Sequence, residues 1–488
     1  MKHRRRIAIV GGGSAGWMTA ATLARALPQD RDIILIDNPG AADSACLAPF
    51  DSTLPSLLSF NRDLGLDEDR LMAATGATFK LGTRFTGWTR RDHAYVHPFS
   101  EFGGVIEGVA FHHLWLKVRQ AGQVESFEDF ALAALAARSG RFARPNGDPR
   151  SVTSTMAYGL HLDVAAYISV LKAVAVRHGV RRTEGVFAAV ERAPDDGQVA
   201  AVRLRDGQRI EADLFIDCTG TGAALIGAVS TEREDWSDWL PVDRVACTLS
   251  PTPAPPLLTD ASATRTGWRQ TLPFQGGSAH IDFSASRYDD KNPAEDASAR
   301  RFVSGRRNPW VGNVIAIGLS ATVLEPLEGT GLHLVQSGIS KLLTLFPLAD
   351  ATDVSAREFN RLMQAEAQRI RDLLIAHYLL NHRRGQPLWD AVAATQAPDE
   401  LAAKIRLFKS RGRIPLWDEE TFEEASWIAT FMGHHLQPQH YHPLADQFTL
   451  AEARAHLDRM RALMTAAVQA MPRATAARRQ PLESTIRS

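Results

Sequence analysis

"IAIVGGGSAGWMTAATLARAL", residues Ile7 to Leu27, decides the fold. Ile7 to Val10 is a short apolar run rich in branched side chains, which suits a strand covered on both faces in a parallel sheet. Gly11, Gly13 and Gly16 follow in G-x-G-x-x-G register, and good helix formers continue the chain. A second apolar strand, "DIILID", ends at Asp37, about 20 residues past the last glycine, the spacing of a dinucleotide-binding strand–turn–helix–strand unit. The glycines let backbone N–H groups approach a pyrophosphate at a helix N-terminus, and Asp37 is placed to accept a hydrogen bond from the adenosine ribose.

The chain beyond Asp37 chooses the dinucleotide. A nicotinamide dehydrogenase would continue with further βαβ units, but here the chain leaves the pattern at Asn38 and returns only near Gly179. "GVRRTEGVFAAVERA" and "GQVAAVRLRDGQRIEADLFIDCTGTG" then read as a strand meander turning at Asp206-Gly207. A further apolar strand runs into Asp217 and Gly220. A strand ending in D-C-T-G far downstream of an N-terminal fingerprint is the arrangement of FAD-binding hydroxylase-like proteins, so FAD is expected.

Composition excludes several classes. The chain has 488 residues, 45% hydrophobic and 23% charged, enough for a large core and more than one domain. Lys plus Arg and Asp plus Glu each number 55, so no basic field favours nucleic acid as a partner. Cys46, Cys218 and Cys247 match no zinc or disulfide spacing and read as reduced thiols. The basic start "MKHRRR" precedes only four apolar residues, far short of a signal segment, and no later stretch reaches the roughly 20 apolar residues of a membrane span. A cytoplasmic protein without membrane contact is expected.

Further motifs are spread along the chain. Trp17 stands directly after the third fingerprint glycine, "ATFKLGTRFTGW" spans residues 77–88, and "EPLEGTG" spans residues 325–331. "HPFSEFGG", "FHHLW", "LHLD" (160–163), "DWSDWLPVDRV", "EFNRLMQAEAQRIRDLLIAHY" and "QHYHPLAD" complete the set. With these in family order from residue 7 to residue 470, the sequence resembles the flavin-dependent tryptophan halogenases.

The resemblance implies an α/β fold: a FAD-binding Rossmann-like core of the hydroxylase (GR2-like) type with mixed sheets, plus a C-terminal helical substrate subdomain. The expected division is a core with substrate-facing insertions over 1–350, a mainly helical part over 351–470, and a disordered tail over 471–488. It implies FADH2 from a separate NADH-dependent flavin reductase, and oxygen with chloride or bromide. The halide is oxidised to hypohalous acid, which reaches an aromatic small molecule or peptide; a homodimer is left open. By motif match Lys80 holds or activates the oxidised halogen, and Glu328 assists loss of the arene proton. Thr330 and Gly331 bind the halide. Gly11, Gly13, Ser14, Ala15, Gly16, Asp37, Val186, Leu319 and Leu332 contact the flavin.

The residues agree with such roles. Lys80, between Phe79 and Leu81 on a strand-like stretch, would be held inward as a partly desolvated ammonium. By itself the pattern also fits an exposed strand lysine, and Glu328 also fits a surface carboxylate at a helix entry. In "EPLEGTG", Pro326 fixes a turn, and Gly329 to Gly331 open the backbone where N–H groups can bind an anion. Glu328 would then face the substrate side, with Glu325 structural or capping.

Departures from the family pattern are equally legible. The W-x-W-x-I-P motif reads "GWRQTLP", with Gln270 for the second tryptophan and Leu272 for isoleucine. The flavin-strap motif G-E-A-T reads "FDSTLP", with Phe50 and Asp51 at its first two positions, and PLES reads PLEG. These changes are expected to gather on the cofactor side. "PLEST" recurs at residues 481–485 without a helix pattern behind it and reads as coincidence.

Residues 355–410 and 419–470 read helical, with a capping box at Thr449–Glu452. Trp389, Trp417, Trp427 and Phe431 suit a core or a substrate cage. His434, His435, His440 and His442 lack a cysteine or carboxylate at ligand spacing, so no metal is expected. A FAD-dependent aromatic monooxygenase and a non-catalytic flavin- or ligand-binding relative remain as alternatives.

Overall fold

A computed structural model describes residues 5–28, 31–38, 47–122, 125–195, 197–253, 255–289, 299–347 and 352–474. Cys46, the repeated "PLEST" and the chain after residue 474 lie outside the described residues. Two compact units emerge, each assembled from three segments. The first holds Met1–Ala77, His161–Leu249 and Ile281–Arg371; the second holds Thr78–Leu160, Ser250–His280 and Asp372–Ser488.

The first unit is built on a six-stranded mixed sheet in the order Trp310–Val311, Val314–Ala316, Leu214–Asp217, Arg6–Val10, Asp32–Asp37, Arg181–Glu184. All its pairings are parallel except the first, which is antiparallel. The fingerprint strand is central, and Ile7, Ala8 and Ile9 are fully buried, as an apolar run without alternation requires. Each such buried isoleucine contributes about 1.5–3 kcal/mol of transfer free energy. The meander expected around Asp206-Gly207 covers one face as an antiparallel sheet of Phe187–Arg192, Val199–Leu204 and Arg209–Glu211. Gly207, at φ +90°, makes its tight turn. Val199, Val202, Leu204 and Ile210 of the meander share a core cluster with Ala8, Val10, Ile34, Ile36 and Phe215. Elsewhere the helix Ser14–Ala26 packs with Val164–Arg177 and Gly331–Thr344.

The second unit carries the strand Thr78–Thr86, paired in parallel with Leu257–Ala263 and antiparallel with Ala94–Pro98. Its helices include Phe111–Gln120, Pro387–Ala393, Asp399–Arg411, Glu424–Gly433 and Leu450–Ala470. The capping box is present: Thr449 Oγ1 accepts the Glu452 N–H, and the Glu452 carboxylate accepts the Thr449 N–H. Trp389, Trp427 and Phe431 are fully buried core groups. Trp427 stacks under the Lys404 ammonium, 3.8 Å from ring centroid to Nζ, while Glu420 bonds both Lys404 and the Trp427 indole N–H. The class is therefore α/β, with a Rossmann-like core, mixed sheets and a helix-rich C-terminal part. Among the described residues no helix is long and apolar enough to cross a membrane.

Candidate functional site

The fingerprint turn sits at the carboxyl end of the central strand. Gly11 has φ +119°, and a Cβ there would strike the Cys218 carbonyl. A Cβ at Gly12 would strike the Asp37 carboxylate, and one at Gly16 the Gly11 carbonyl, so strand, turn and helix meet at backbone contact. Gly13 is the N-cap of Ser14–Ala26 and, having no side chain, leaves the helix end uncapped. Asp37 is buried, and its Oδ2 accepts a hydrogen bond from Arg182 Nε at 2.7 Å. Sequence reasoning missed that arginine, which reaches Asp37 from the neighbouring parallel strand.

Other expected flavin contacts gather at the same edge. The Gly185 N–H donates to the Asp37 carbonyl at 3.0 Å, which brings Val186 beside the end of Asp32–Asp37. Gly318, at φ +69°, fits against Ala15 and Val335 and so holds Leu319 between the fingerprint helix and the helix that carries Leu332. Asp217 of the D-C-T-G stretch is structural: its carboxylate accepts bonds from Thr219, Ser320, Leu225 and Ile226. The nine expected positions all lie in the first unit, around the carboxyl ends of its parallel strands, where open α/β sheets receive ligands.

"EPLEGTG" supplies a second helix start in the same unit. Gly329 has φ +75°, and a Cβ would strike the Ser52 carbonyl, while the Gly331 Cα faces the Asp51 carboxylate. The altered strap therefore lies directly on this turn. Phe50–Ser52 is held there by antiparallel pairing with His161–Asp163, the last three residues of "LHLD". Thr330 is the N-cap of Gly331–Thr344, and its side chain makes no capping bond. Glu325 and Glu328 are both fully buried, so burial alone does not set Glu328 apart.

One turn into this helix lies a polar cluster that the sequence did not reveal. His333 Nδ1 meets Ser56 Oγ at 3.0 Å and its Nε2 meets Glu366 Oε1 at 3.0 Å. Ser337 and Lys341 also donate to Glu366. Burial alone would raise the Glu366 carboxyl; the hydrogen bond and charge of His333, together with Lys341 and Ser337, pull it down to about 2. Ser56 opens the helix that follows the strap, so the cluster ties the strap's far side to the second helix start.

Lys80 lies in the second unit, fully buried on Thr78–Thr86. Its neighbours Phe79 and Leu81 point to the opposite face by strand alternation. Phe79 stacks on Phe142 at 4.2 Å and meets Tyr158 edge-on, anchoring the strand from behind. The Lys80 ammonium is 4.9 Å from the Phe99 ring centroid, an aromatic from "HPFSEFGG". Across the ladder it pairs with Leu257, a non-glycine residue at φ +74° beside a register shift. Strained backbone of this kind persists where the surroundings over-determine it.

With this geometry in place, the comparisons decide the family. The tryptophan halogenase profile matches residues 6–449. The chain belongs to the tryptophan halogenase family. Members are flavin-dependent oxidoreductases working with FADH2. A flavin-dependent halogenase from Xanthomonas campestris is 36% identical, with a TM-score of 0.91 over 97% of this chain and 98% of that one. BrvH, a flavin-dependent halogenase from Brevundimonas sp. BAL3, is 34% identical, with a TM-score of 0.90 over the same shares. Tryptophan 7-halogenase RebH from Lentzea aerocolonigenes is 28% identical over 447 residues, 83% of this chain and 82% of its own.

The first unit of this halogenase-family chain fits a flavin dinucleotide. Its turn is bare backbone packed against Asp37, and an uncapped 13-residue helix starts there. One expectation needs correcting. The altered "GWRQTLP" does not gather on the cofactor side: it forms Gly267–Phe274 in the second unit, and its Pro273 carbonyl accepts a bond from Thr78 on the Lys80 strand. Trp268 and Gln270 are buried there, so this change bears on the lysine strand's packing. Cys218 is buried and Cys247 half-buried, and burial raises both thiols above their usual range. Among the described residues no three His, Cys, Asp or Glu side chains converge as metal ligands. His434 instead packs on His377 and Tyr95, His435 on His93, and His442 caps a short helix.

Proposed function

We propose that the protein halogenates an indole or another electron-rich aromatic, free or within a peptide, using FADH2, oxygen and chloride or bromide. Gly11, Gly13, Ser14, Ala15 and Gly16 hold the pyrophosphate, Asp37 the ribose, and Val186, Leu319 and Leu332 line the flavin. FADH2 arrives from a separate NADH-dependent reductase and, with oxygen, supplies the two-electron oxidation of the halide to hypohalous acid. The N–H groups of Thr330 and Gly331 hold the halide before that step. Lys80 receives hypohalous acid and presents the electrophilic halogen; the arene carbon attacks it, and water leaves. Glu328 takes the ring proton from the cationic adduct and restores aromaticity. The protein acts in the cytoplasm, without membrane or nucleic-acid partners.

The observation that carries this reading is Lys80: a fully buried ammonium set against an aromatic ring, on a strand clamped from behind by Phe79. An ammonium so placed is a rigid donor with little freedom to be screened by water. The test supplies flavin reductase, FAD, NADH, bromide and indole, and measures brominated product by mass spectrometry alongside oxygen consumption. Lys80→Ala should abolish product while oxygen consumption continues. A variant that stops consuming oxygen, or a parent that forms an oxygenated product without halide, overturns the reading.

A further inference from the structure

The second unit contains a cavity of about 580 Å³ that the proposed reaction does not use. Tyr95, Trp115 and Phe127 contribute an aromatic wall, and Arg119 a cation. Tyr95 pairs with Phe85 in the strand ladder, five positions along from Lys80, which at about 3.3 Å per residue is roughly 16 Å away. This is a place separate from the lysine.

Arg119 is the unusual group. Its guanidinium lies over the Trp115 indole, 5.0 Å from the ring centroid, and Trp115 is itself buried. Among the described residues no side chain gives Arg119 a salt bridge or a hydrogen bond. Two carboxylates line the same cavity, yet neither serves it. Glu125 is engaged by Arg461 at 3.2 Å. Glu128 accepts the Val96 N–H at 2.8 Å, and burial moves its carboxyl above the usual range, toward the neutral form. His93 and His435, also lining the cavity and tilted against each other at 4.3 Å, are held below the ordinary imidazole range, chiefly by burial. A half-buried planar cation on an aromatic platform, with no anion of its own, is matched by a planar anion attached to a ring.

We propose that this cavity binds an aromatic carboxylate, with the carboxylate paired in bidentate fashion to Arg119 and the ring lying against Tyr95 and Trp115. The site is independent of halogen chemistry and does not rest on the reading above.

Isothermal titration of the full-length protein with indole-3-acetate tests it, with indole-3-acetamide as the neutral isostere. The wild type should bind the acid saturably and at least about tenfold more tightly than the amide, a difference of about 1.4 kcal/mol. Arg119→Gln should erase that preference, Arg119→Lys should recover only part of it, and Lys80→Ala should leave it intact. Unchanged thermal melting of each variant shows that the fold is retained. Equal affinity for acid and amide, no saturable binding by the wild type, or loss in Lys80→Ala but not in Arg119→Gln would each overturn the proposal.

Discussion

Two helices of the first unit start at glycine-rich turns, neither capped by its own N-cap side chain, yet different groups pack against the two starts. At Gly13 the turn is bare, and the nearest carboxylate, Asp37, is neutralised by Arg182 from the next strand. At Thr330 the strap presses in: Ser52 carbonyl against Gly329, Asp51 carboxylate facing Gly331. A helix end favours negative charge in both places. The first is bare backbone beside an ion-paired carboxylate, whereas the second has the strap's Ser52 carbonyl and Asp51 carboxylate packed beside it. The difference lies in what packs against each turn, not in the turn.

Breaking the first end should have the largest effect. Gly12→Val forces a branched side chain into Asp37, and FAD affinity measured by fluorescence quenching should fall at least about a hundredfold, or about 2.7 kcal/mol. Binding that stays tight would mean the dinucleotide lies elsewhere. At the second end, Glu328→Gln should slow arene halogenation by about 10²-fold or more, with oxygen consumption unchanged, as for loss of a positioned base. A variant that halogenates at the parental rate removes Glu328 from the mechanism.

Gly331→Pro sharpens the comparison at lower cost to the fold, since proline is tolerated at the first helical position and removes one N–H. The bromide concentration for half-maximal rate should rise about tenfold, equivalent to about 1.4 kcal/mol for a charge-assisted bond, while FAD affinity stays put. His333→Ala should act more weakly at the same end, raising the bromide requirement a few-fold and speeding hydrogen exchange over residues 50–56, because the Ser56–His333–Glu366 tie is lost. His333→Gln, which keeps a hydrogen-bonding head group, should recover part of both.

A last effect, read in a different quantity, concerns the whole fold. Burial, with smaller contributions from neighbouring charges, pushes His113 down to about 3, and burial pushes His112 to about 4. Both lie below the unfolded imidazole value of about 6.5, so acid protonates the unfolded chain first. Their stabilising contribution is complete above pH 6.5 and is progressively lost as pH falls from there toward the folded values. Melting temperature should decline from pH 7 to pH 5, before carboxylates titrate, and His113→Gln should flatten that decline.

The sequence is readable where structure is local. The fingerprint, the Asp206-Gly207 turn and the Thr449–Glu452 cap each depend on residues within a few positions, and each formed where expected. The features that escaped reading join distant segments. Arg182 meets Asp37 across 145 residues, and Ser56 meets His333 across 277. Neither side chain carries a periodic signal, because only the strand order and helix packing of the finished unit bring them together. Lys80 was legible as a motif, whereas its aromatic partner Phe99 and the strained Leu257 opposite it were not.

The interleaving of the two units has a consequence for biosynthesis. Each unit is stitched from three stretches that alternate along the chain, so neither can close as it leaves the ribosome. The dinucleotide unit waits for Arg371, and the Lys80 strand, made early, waits for helices beyond Asp372. Buried groups such as Phe79 and Trp88 must therefore spend much of translation exposed. Slow closure of distant contacts favours off-pathway association during that interval. Yield in a heterologous host should accordingly respond to chaperone supply and growth temperature, and fragments ending before Asp372 should be recovered as aggregates.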